Sequence, residues 1–386
     1  GRGKYRPTTV TMKLPKNFCP APFIQLQTSH DGKCGPCPHN GDRWRVPGGV
    51  SQKWRSAEME SLRRSFLSGQ RDPVCDRCWR EEDAGKPSLR QRLLSHRQSR
   101  NLEQGLGKYV ESGQYQQYPR VLTLIPGNEC NLACATCSGY FSSKWNSLLR
   151  SNPHSTHRVM ENWNMSDLEY QDIVDNSHRL IKIELFGGEP FLNKRNRRLL
   201  LEPIMEKGTS RNMTLYFNTN GTLFDEDYMT RLSRHFRHLE IRQSMDGLGE
   251  QFEYLRYGAR FDEVCENADR FRSLPNSDFG VICTVSIFNV MRLDEIDEFL
   301  RGRGWPAHYI IAYDQDHLRL HNIPDRAKEK ITLSDRFSDI MAYMKARPCD
   351  QHSWRTFLGY TEELQKSRGL DFASTFPELH RIAQEN

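Results

Sequence analysis

The stretch that decides the fold is Val121-Leu122-Thr123-Leu124-Ile125-Pro126-Gly127-Asn128-Glu129-Cys130, which continues through Cys134 to Cys137. A brief apolar run with strand propensity halts at Pro126-Gly127, and three thiols in C-x3-C-x2-C spacing follow at once. Three thiolates on one short loop can converge on one face of an iron–sulfur cube. A cube held by three protein ligands keeps one iron open, which lets it bind a small molecule directly rather than only pass electrons. The competing reading of the three cysteines is a zinc site or packing thiols.

Outward from this loop the pattern repeats. Apolar runs at 121–125, 181–186, 213–218, 239–244, 280–285 and 309–313 alternate with amphipathic stretches such as 194–207, 224–235, 261–273 and 293–301. Six β-then-α units predict a parallel α/β architecture, either a partial (β/α)6 barrel or a doubly wound sheet. Chemistry then belongs at the C-terminal ends of the strands. Runs this brief, β-branched or aromatic fit strands covered on both faces. Residues 1–110 are loop-rich, with a helical pattern at 57–67 and a polar helix or linker over 86–108; residues 333–345, 354–366 and 377–384 read as helices. The expected organisation is a small cysteine-rich N-terminal domain (1–110), a core barrel (111–320) and a helical C-terminal extension (321–386).

The strand ends carry polar groups. The second run ends in Phe186-Gly187-Gly188-Glu189-Pro190, where glycines allow close backbone approach and a carboxylate can accept from an ammonium group. The third ends in Asn218-Thr219-Asn220-Gly221 and the fourth in Ser244-Met245-Asp246-Gly247, with Arg256 twelve residues after Ser244. The plain alternative for these segments is turn chemistry.

Taken in order, the three-cysteine loop, the Gly-Gly-Glu-Pro turn and the Ser–Arg pair resemble the radical S-adenosylmethionine (SAM) superfamily. The resemblance covers residues 118–314. It implies that Cys130, Cys134 and Cys137 hold a 4Fe-4S cluster whose open iron is chelated by SAM. It implies that Gly187, Gly188, Glu189 and Pro190 bind the SAM amino group and that Ser244 and Arg256 contact SAM, with Asp246 and Asn218 as weaker ribose ligands. Reduction of the cluster then cleaves SAM, and a 5′-deoxyadenosyl radical abstracts a substrate hydrogen. One position departs: the residue before the last cysteine is commonly aromatic in the family, and here it is Thr136, leaving Tyr140 or Phe141 for that packing.

Five more cysteines precede the barrel: Cys19, Cys34, Cys37, Cys75 and Cys78. Cys34-x2-Cys37 with Cys75-x2-Cys78 would make a four-thiolate zinc knuckle. Alternatively Cys19, Cys37, Cys75 and Cys78 ligate a second cube. That set is similar to the twitch and SPASM auxiliary-cluster modules, through Gly32-x4-Cys37 and the distant Cys75-x2-Cys78, although those modules normally follow the barrel. A closed four-thiolate cluster implies electron transfer or substrate positioning.

Eleven cysteines, an odd and clustered set, disfavour a disulfide framework. Cys265 reads as core and Cys349 as part of a polar turn; Cys283 could face the barrel interior as a hydrogen-atom donor, against plain packing. Net charge is +6, near +11 over residues 1–108 and −5 beyond. A basic first third suits an acidic peptide or protein partner, or nucleic acid, with Trp44, Trp54 and Trp79 offering either base stacking or cation–π packing. No run approaches the ~18 apolar residues of a membrane span, and the first sixteen residues lack the apolar core of a secretory signal.

The function expected is reductive cleavage of SAM and modification or oxidation of a peptide or protein substrate, in the cytoplasm, with a reductant of the flavodoxin or ferredoxin kind. A small-molecule dehydrogenase of the same superfamily is the second reading. A zinc-bearing basic nucleic-acid-binding protein on a degenerate barrel is the third. No residue is assigned as acid, base or nucleophile.

Overall fold

The computed structural model describes residues 14–29, 32–40, 43–83, 85–95, 118–151 and 159–385. Asp31, the basic start of the chain and most of the polar stretch 86–108 lie outside them; the described part of that stretch contains a helix, Leu89–Ser95.

Eleven strands are described: β1 Gln25–Thr28, β2 Lys33–Gly35, β3 Trp44–Arg45, β4 Val121–Leu124, β5 Ala133–Cys134, β6 Lys182–Leu185, β7 Thr214–Thr219, β8 His238–Ser244, β9 Arg256–Tyr257, β10 Ser277–Val285 and β11 Ala307–Ile311. The helices that matter below are α1 Ala57–Leu67, α2 Asp76–Asp83, α3 Ser143–Ser151, α4 Asp167–Asp175, α5 Glu226–His235, α6 Phe261–Arg272, α7 Leu293–Gly302 and α8 Gln351–Arg368. Local chemistry sets their starts. Ser56 caps α1 through Met59 N, Ser166 and Glu169 form a capping box on α4, and Asp225 caps α5. The stretch expected as a helix over 194–207 is helical, with a π-helical segment, Asn196–Leu201, running into the α-helix Glu202–Glu206. Pro203 lacks the N–H that a regular helix would need there.

One nine-stranded sheet runs in the order β11-β10-β8-β7-β6-β4-β1-β2-β3. All six runs anticipated from the sequence are consecutive parallel strands in it. The N-terminal region joins the same sheet: β1 pairs parallel with β4 over Gln25↔Val121 to Thr28↔Leu124, and β2 and β3 follow antiparallel. β11 and β3 are its edges.

The two faces of the parallel strands differ. Leu122, Leu124, Ile183, Leu185, Leu215, Phe217, Leu239 and Ile241 are buried in the main core with helix residues such as Leu232, Phe271 and Ile296. Alternate residues Lys182, Glu184, Tyr216, Asn218, Glu240, Arg242 and Ser244 are only half-buried. The strands are therefore not apolar on both sides, as their runs had led us to expect. Polar pairing keeps the inner face solvated without stranding charges: Lys182 Nζ lies 3.1 Å from Glu184 and 2.7 Å from Glu240, Arg242 lies 2.7 Å from Asp278, and Thr123 donates to Glu184 at 2.7 Å. A second, smaller core gathers Phe18, Phe23, Ile24, Leu62, Phe66 and Trp79 in the N-terminal region.

Candidate metal and SAM site

The three-cysteine loop leaves the sheet at the end of β4 and is fastened along its length. Buried Asn128 donates to Gly139 O (3.3 Å) and Glu161 O (3.2 Å) and accepts from Trp163 N (3.1 Å). Cys130 N donates to Ser143 Oγ at 3.0 Å, and β5, which contains Cys134, pairs antiparallel with β9. Trp145 on α3 donates from Nε1 to Cys134 O at 2.8 Å, and Gln315 to Cys137 O at 2.9 Å.

Burial raises all three thiols. Burial, then the neighbouring Cys134 thiol, pushes Cys130 up to about 12. Burial and then Cys134 and Cys130 push Cys137 up as well. Cys134 is raised by burial, against the pull of Arg256. Asn220 Nδ2 lies 3.9 Å from Cys130 Sγ, and Arg256 Nη1 lies 3.8 Å from Cys134 Sγ. Three buried or half-buried thiols on one short loop, with an amide and a cationic donor near two of the sulfurs, fit a thiolate-bound metal centre, because those donors stabilise thiolate charge.

The Gly-Gly-Glu-Pro turn lies directly on this loop. Gly187 has φ +107°, and a Cβ there would sit 2.6 Å from Gly127 O. A Cβ on Gly188 would sit 2.1 Å from Glu129 O, so only glycine lets Glu189 N reach Glu129 O at 2.8 Å. Glu189 is 1% exposed. Its carboxylate accepts from Thr219 Oγ1 at 3.1 Å and from Asn220 N at 2.8 Å, across the end of β7. Burial lifts its pKa to about 7, with the Asn220 amide holding it down. Pro190 O accepts from Asn196.

Asn218 and Ser244 lie near the C-terminal ends of β7 and β8 on the half-open inner face, and Asn218 Oδ1 is buried with no hydrogen-bond partner among the described residues. Asp246 and Arg256 pair with each other: Arg256 Nη2 lies 2.8 Å from Asp246 Oδ2, while Asp246 Oδ1 accepts from Thr284 N at 2.7 Å. Asp246 is fully buried and braces Arg256 against Cys134.

In the N-terminal region Cys19, Cys37, Cys75 and Cys78 are each 7% exposed and line one cavity, walled by Pro22, Pro36, Phe66 and Leu93. Burial and then Cys37 raise Cys19; burial raises Cys37 to about 12. Burial and then Cys37 and Cys78 raise Cys75. Cys34 is not among them. It is fully buried in β2, paired with Thr28 and Trp44, and belongs to the main core. His39, which the sequence reading passed over, lies with Nδ1 3.9 Å from Cys78 Sγ, and His39, Cys78 and Glu81 place ligand atoms within 4.8 Å of one another. The C-x-H spacing Cys37-Pro38-His39 was the available signal.

β2 runs antiparallel to β1, so Cys37 leaves the sheet at the end where β4 begins, whereas Cys130 follows the end where β4 finishes. Cys283 is fully buried beside Asn289 Nδ2 (3.8 Å), Cys265 is buried on α6, and Cys349 donates to Asn322 O. Tyr140 packs edge-on against Phe141 at 4.6 Å, with Lys33 over its ring. Trp54 is fully buried under Arg63 and Trp79 is flanked by Arg71 and Arg90, so both take the cation–π role. Among the described residues no helix is long and apolar enough to cross a membrane.

No protein-family model and no curated protein matches the chain. Solved structures similar to it include native anSMEcpe with bound AdoMet, at 21% identity and TM-score 0.40, covering 50% of this chain and 52% of that one. Streptococcus suis SuiB bound to precursor peptide SuiA is similar at 13% identity and TM-score 0.40, over 79% of this chain and 64% of that one. TYW1 with a lysine-pyruvate adduct bound is similar at 12% identity and TM-score 0.30, over 55% and 69%. The chain thus spans about half the length of anSMEcpe.

Proposed function

We propose that this protein is a radical SAM enzyme that modifies a polar peptide or protein substrate. The observation that carries the reading is the placement of Cys130, Cys134 and Cys137 on the loop that leaves β4, with Asn220 and Arg256 directed at two of the sulfurs and Glu189 of the next strand's glycine turn hydrogen-bonded across to the end of β7. Bound by those thiols, a 4Fe-4S cluster with one open iron would supply the electron that cleaves SAM to a 5′-deoxyadenosyl radical and methionine.

The chain's own residues divide the remaining work. The turn 187–190 offers backbone groups and the Glu189 carboxylate to the SAM ammonium group. Arg256, held by Asp246, presents a guanidinium beside Cys134, where a carboxylate also bound there would find a cation. Asn218 and Ser244 supply polar groups for ribose, and the orphaned Asn218 Oδ1 gains a partner when a hydroxyl arrives. The charged inner face of the sheet favours a polar substrate over an apolar one. The four-thiol cavity would hold a second cluster, closed by its ligands and walled from water, suited to accept the electron that a substrate radical gives up as it is oxidised.

Anaerobic reconstitution of the full chain, followed by SAM and dithionite, tests this. About eight iron and eight sulfide per chain and release of 5′-deoxyadenosine are expected. Zinc with little sulfide and no such product would overturn it.

A further inference from the structure

The three-cysteine loop is held by more than its own neighbours. Three successive carbonyls in it, Ala133 O, Cys134 O and Ala135 O, each accept from a side chain. Trp145 of α3 takes the middle one. The other two are taken by the C-terminal helix α8: Arg368 Nη1 donates to Ala133 O at 2.6 Å and the Tyr360 hydroxyl to Ala135 O at 2.7 Å. These partners lie 235 and 225 residues from the loop in sequence.

Arg368 is more than a hydrogen-bond donor. It is 8% exposed, and its guanidinium stacks over Trp145 (4.1 Å) and Tyr257 (5.2 Å). Its Nε and Nη2 are buried without a hydrogen-bond partner among the described residues. A desolvated cation with unused donors is costly unless an anion stands close by. No carboxylate is paired with it among the described residues. Burial works against its charge, and Tyr360 and then Cys134 work to keep it. The nearby group fitted to carry compensating negative charge is Cys134, once it binds metal as a thiolate; Arg256 already lies 3.8 Å from its sulfur.

We propose that Arg368 is a positioning residue that fixes the Cys134 segment and sets the reduction potential of the metal centre held by Cys130, Cys134 and Cys137. This rests on the reading of those cysteines as iron–sulfur ligands. A buried positive charge beside a thiolate-ligated cluster favours the reduced, more negative form and so raises its potential. Tyr360 shares the backbone task but not the electrostatic one.

The test uses the reconstituted full chain and follows the paramagnetic signal that responds to added SAM. Arg368→Gln keeps a donor for Ala133 O and removes the charge. It should move the midpoint of that signal to more negative potential while iron stays bound. Arg368→Lys should stay near the wild-type potential. Tyr360→Phe should leave the potential unchanged but release iron faster to a chelator. If Arg368→Gln does not fold, Arg368→Met supplies the same loss of charge. An unmoved potential in the neutral variant, or an equal shift in the lysine variant, overturns the inference. Absence of iron from the wild-type protein would instead overturn the reading of the three cysteines, so the two failures are distinct.

Discussion

The molecule contains two sets of thiols built on opposite physical plans. Cys130, Cys134 and Cys137 are surrounded by donors: Asn220 and Arg256 point at sulfur, and Arg368, Trp145 and Tyr360 hold the backbone between. Cys19, Cys37, Cys75 and Cys78 face a cavity walled by Pro22, Phe66 and Leu93, with a histidine and an asparagine at its margin. Under the function proposed above, three ligands in a polar setting would leave a position for a reacting molecule, and four ligands in an apolar wall would leave none. The contrast would then separate a site for chemistry from a site for storing or relaying electrons, and each of the following measurements presses on it.

The largest effect is expected from Cys130→Ala, Cys134→Ala and Cys137→Ala together. 5′-deoxyadenosine release should fall to background while iron falls only from about eight to about four per chain. The reciprocal pair, Cys75→Ala with Cys78→Ala, should keep SAM cleavage and lose the second iron complement. Loss of both activities in both variants would mean that the sets do not act separately.

Next is Gly188→Ala. A Cβ 2.1 Å from Glu129 O cannot be absorbed by a flexible side chain, so the turn must shift away from the loop. Destabilisation of about 3 kcal/mol is expected in denaturant titration, with SAM affinity lost as well.

Glu189 gives a pH signature. Its folded pKa, about 7, lies above the ordinary carboxylate value, so the folded chain keeps a proton that the unfolded chain has released. Stability of the metal-free protein should therefore be fully retained below about pH 4.5 as far as this group is concerned, and decline as pH rises towards 7. Up to about 3 kcal/mol is at stake. Glu189→Gln should flatten this slope in thermal melts; an unchanged slope would show that the carboxylate is not the source.

The smallest effect separates neighbours in sequence. Cys34→Ser should cost about 1 kcal/mol of packing and leave iron content untouched, whereas Cys37→Ser should remove iron from the second site. Loss of iron from the Cys34 variant would reassign the ligand.

Much of the scaffold was legible in the chain. The six parallel strands lie within a few residues of the apolar runs because turn residues such as Pro126-Gly127 and Gly187-Gly188 punctuate them. Helix 57–67 is found at those bounds because Ser56 caps it. Strand β1 was missed: Gln25-Leu26-Gln27-Thr28 alternates, but over too few residues to be distinguished from a loop. Tyr360 and Arg368 were invisible as site residues because α8 looks like any amphipathic helix, and nothing local says which loop it will meet. The polarity of the inner face was present as alternation in Lys182-Ile183-Glu184-Leu185, yet it was overshadowed by the expectation that parallel strands are apolar throughout.

The pairing of β1 with β4 has a mechanical consequence. Four consecutive residue pairs tie the strand that follows Cys19 to the strand that launches Cys130. Swinging the N-terminal module away would mean unzipping a parallel ladder, not flexing a tether. The gap across which an electron would hop between the two sulfur sets is thus set by backbone, and its transit rate should be indifferent to solvent viscosity.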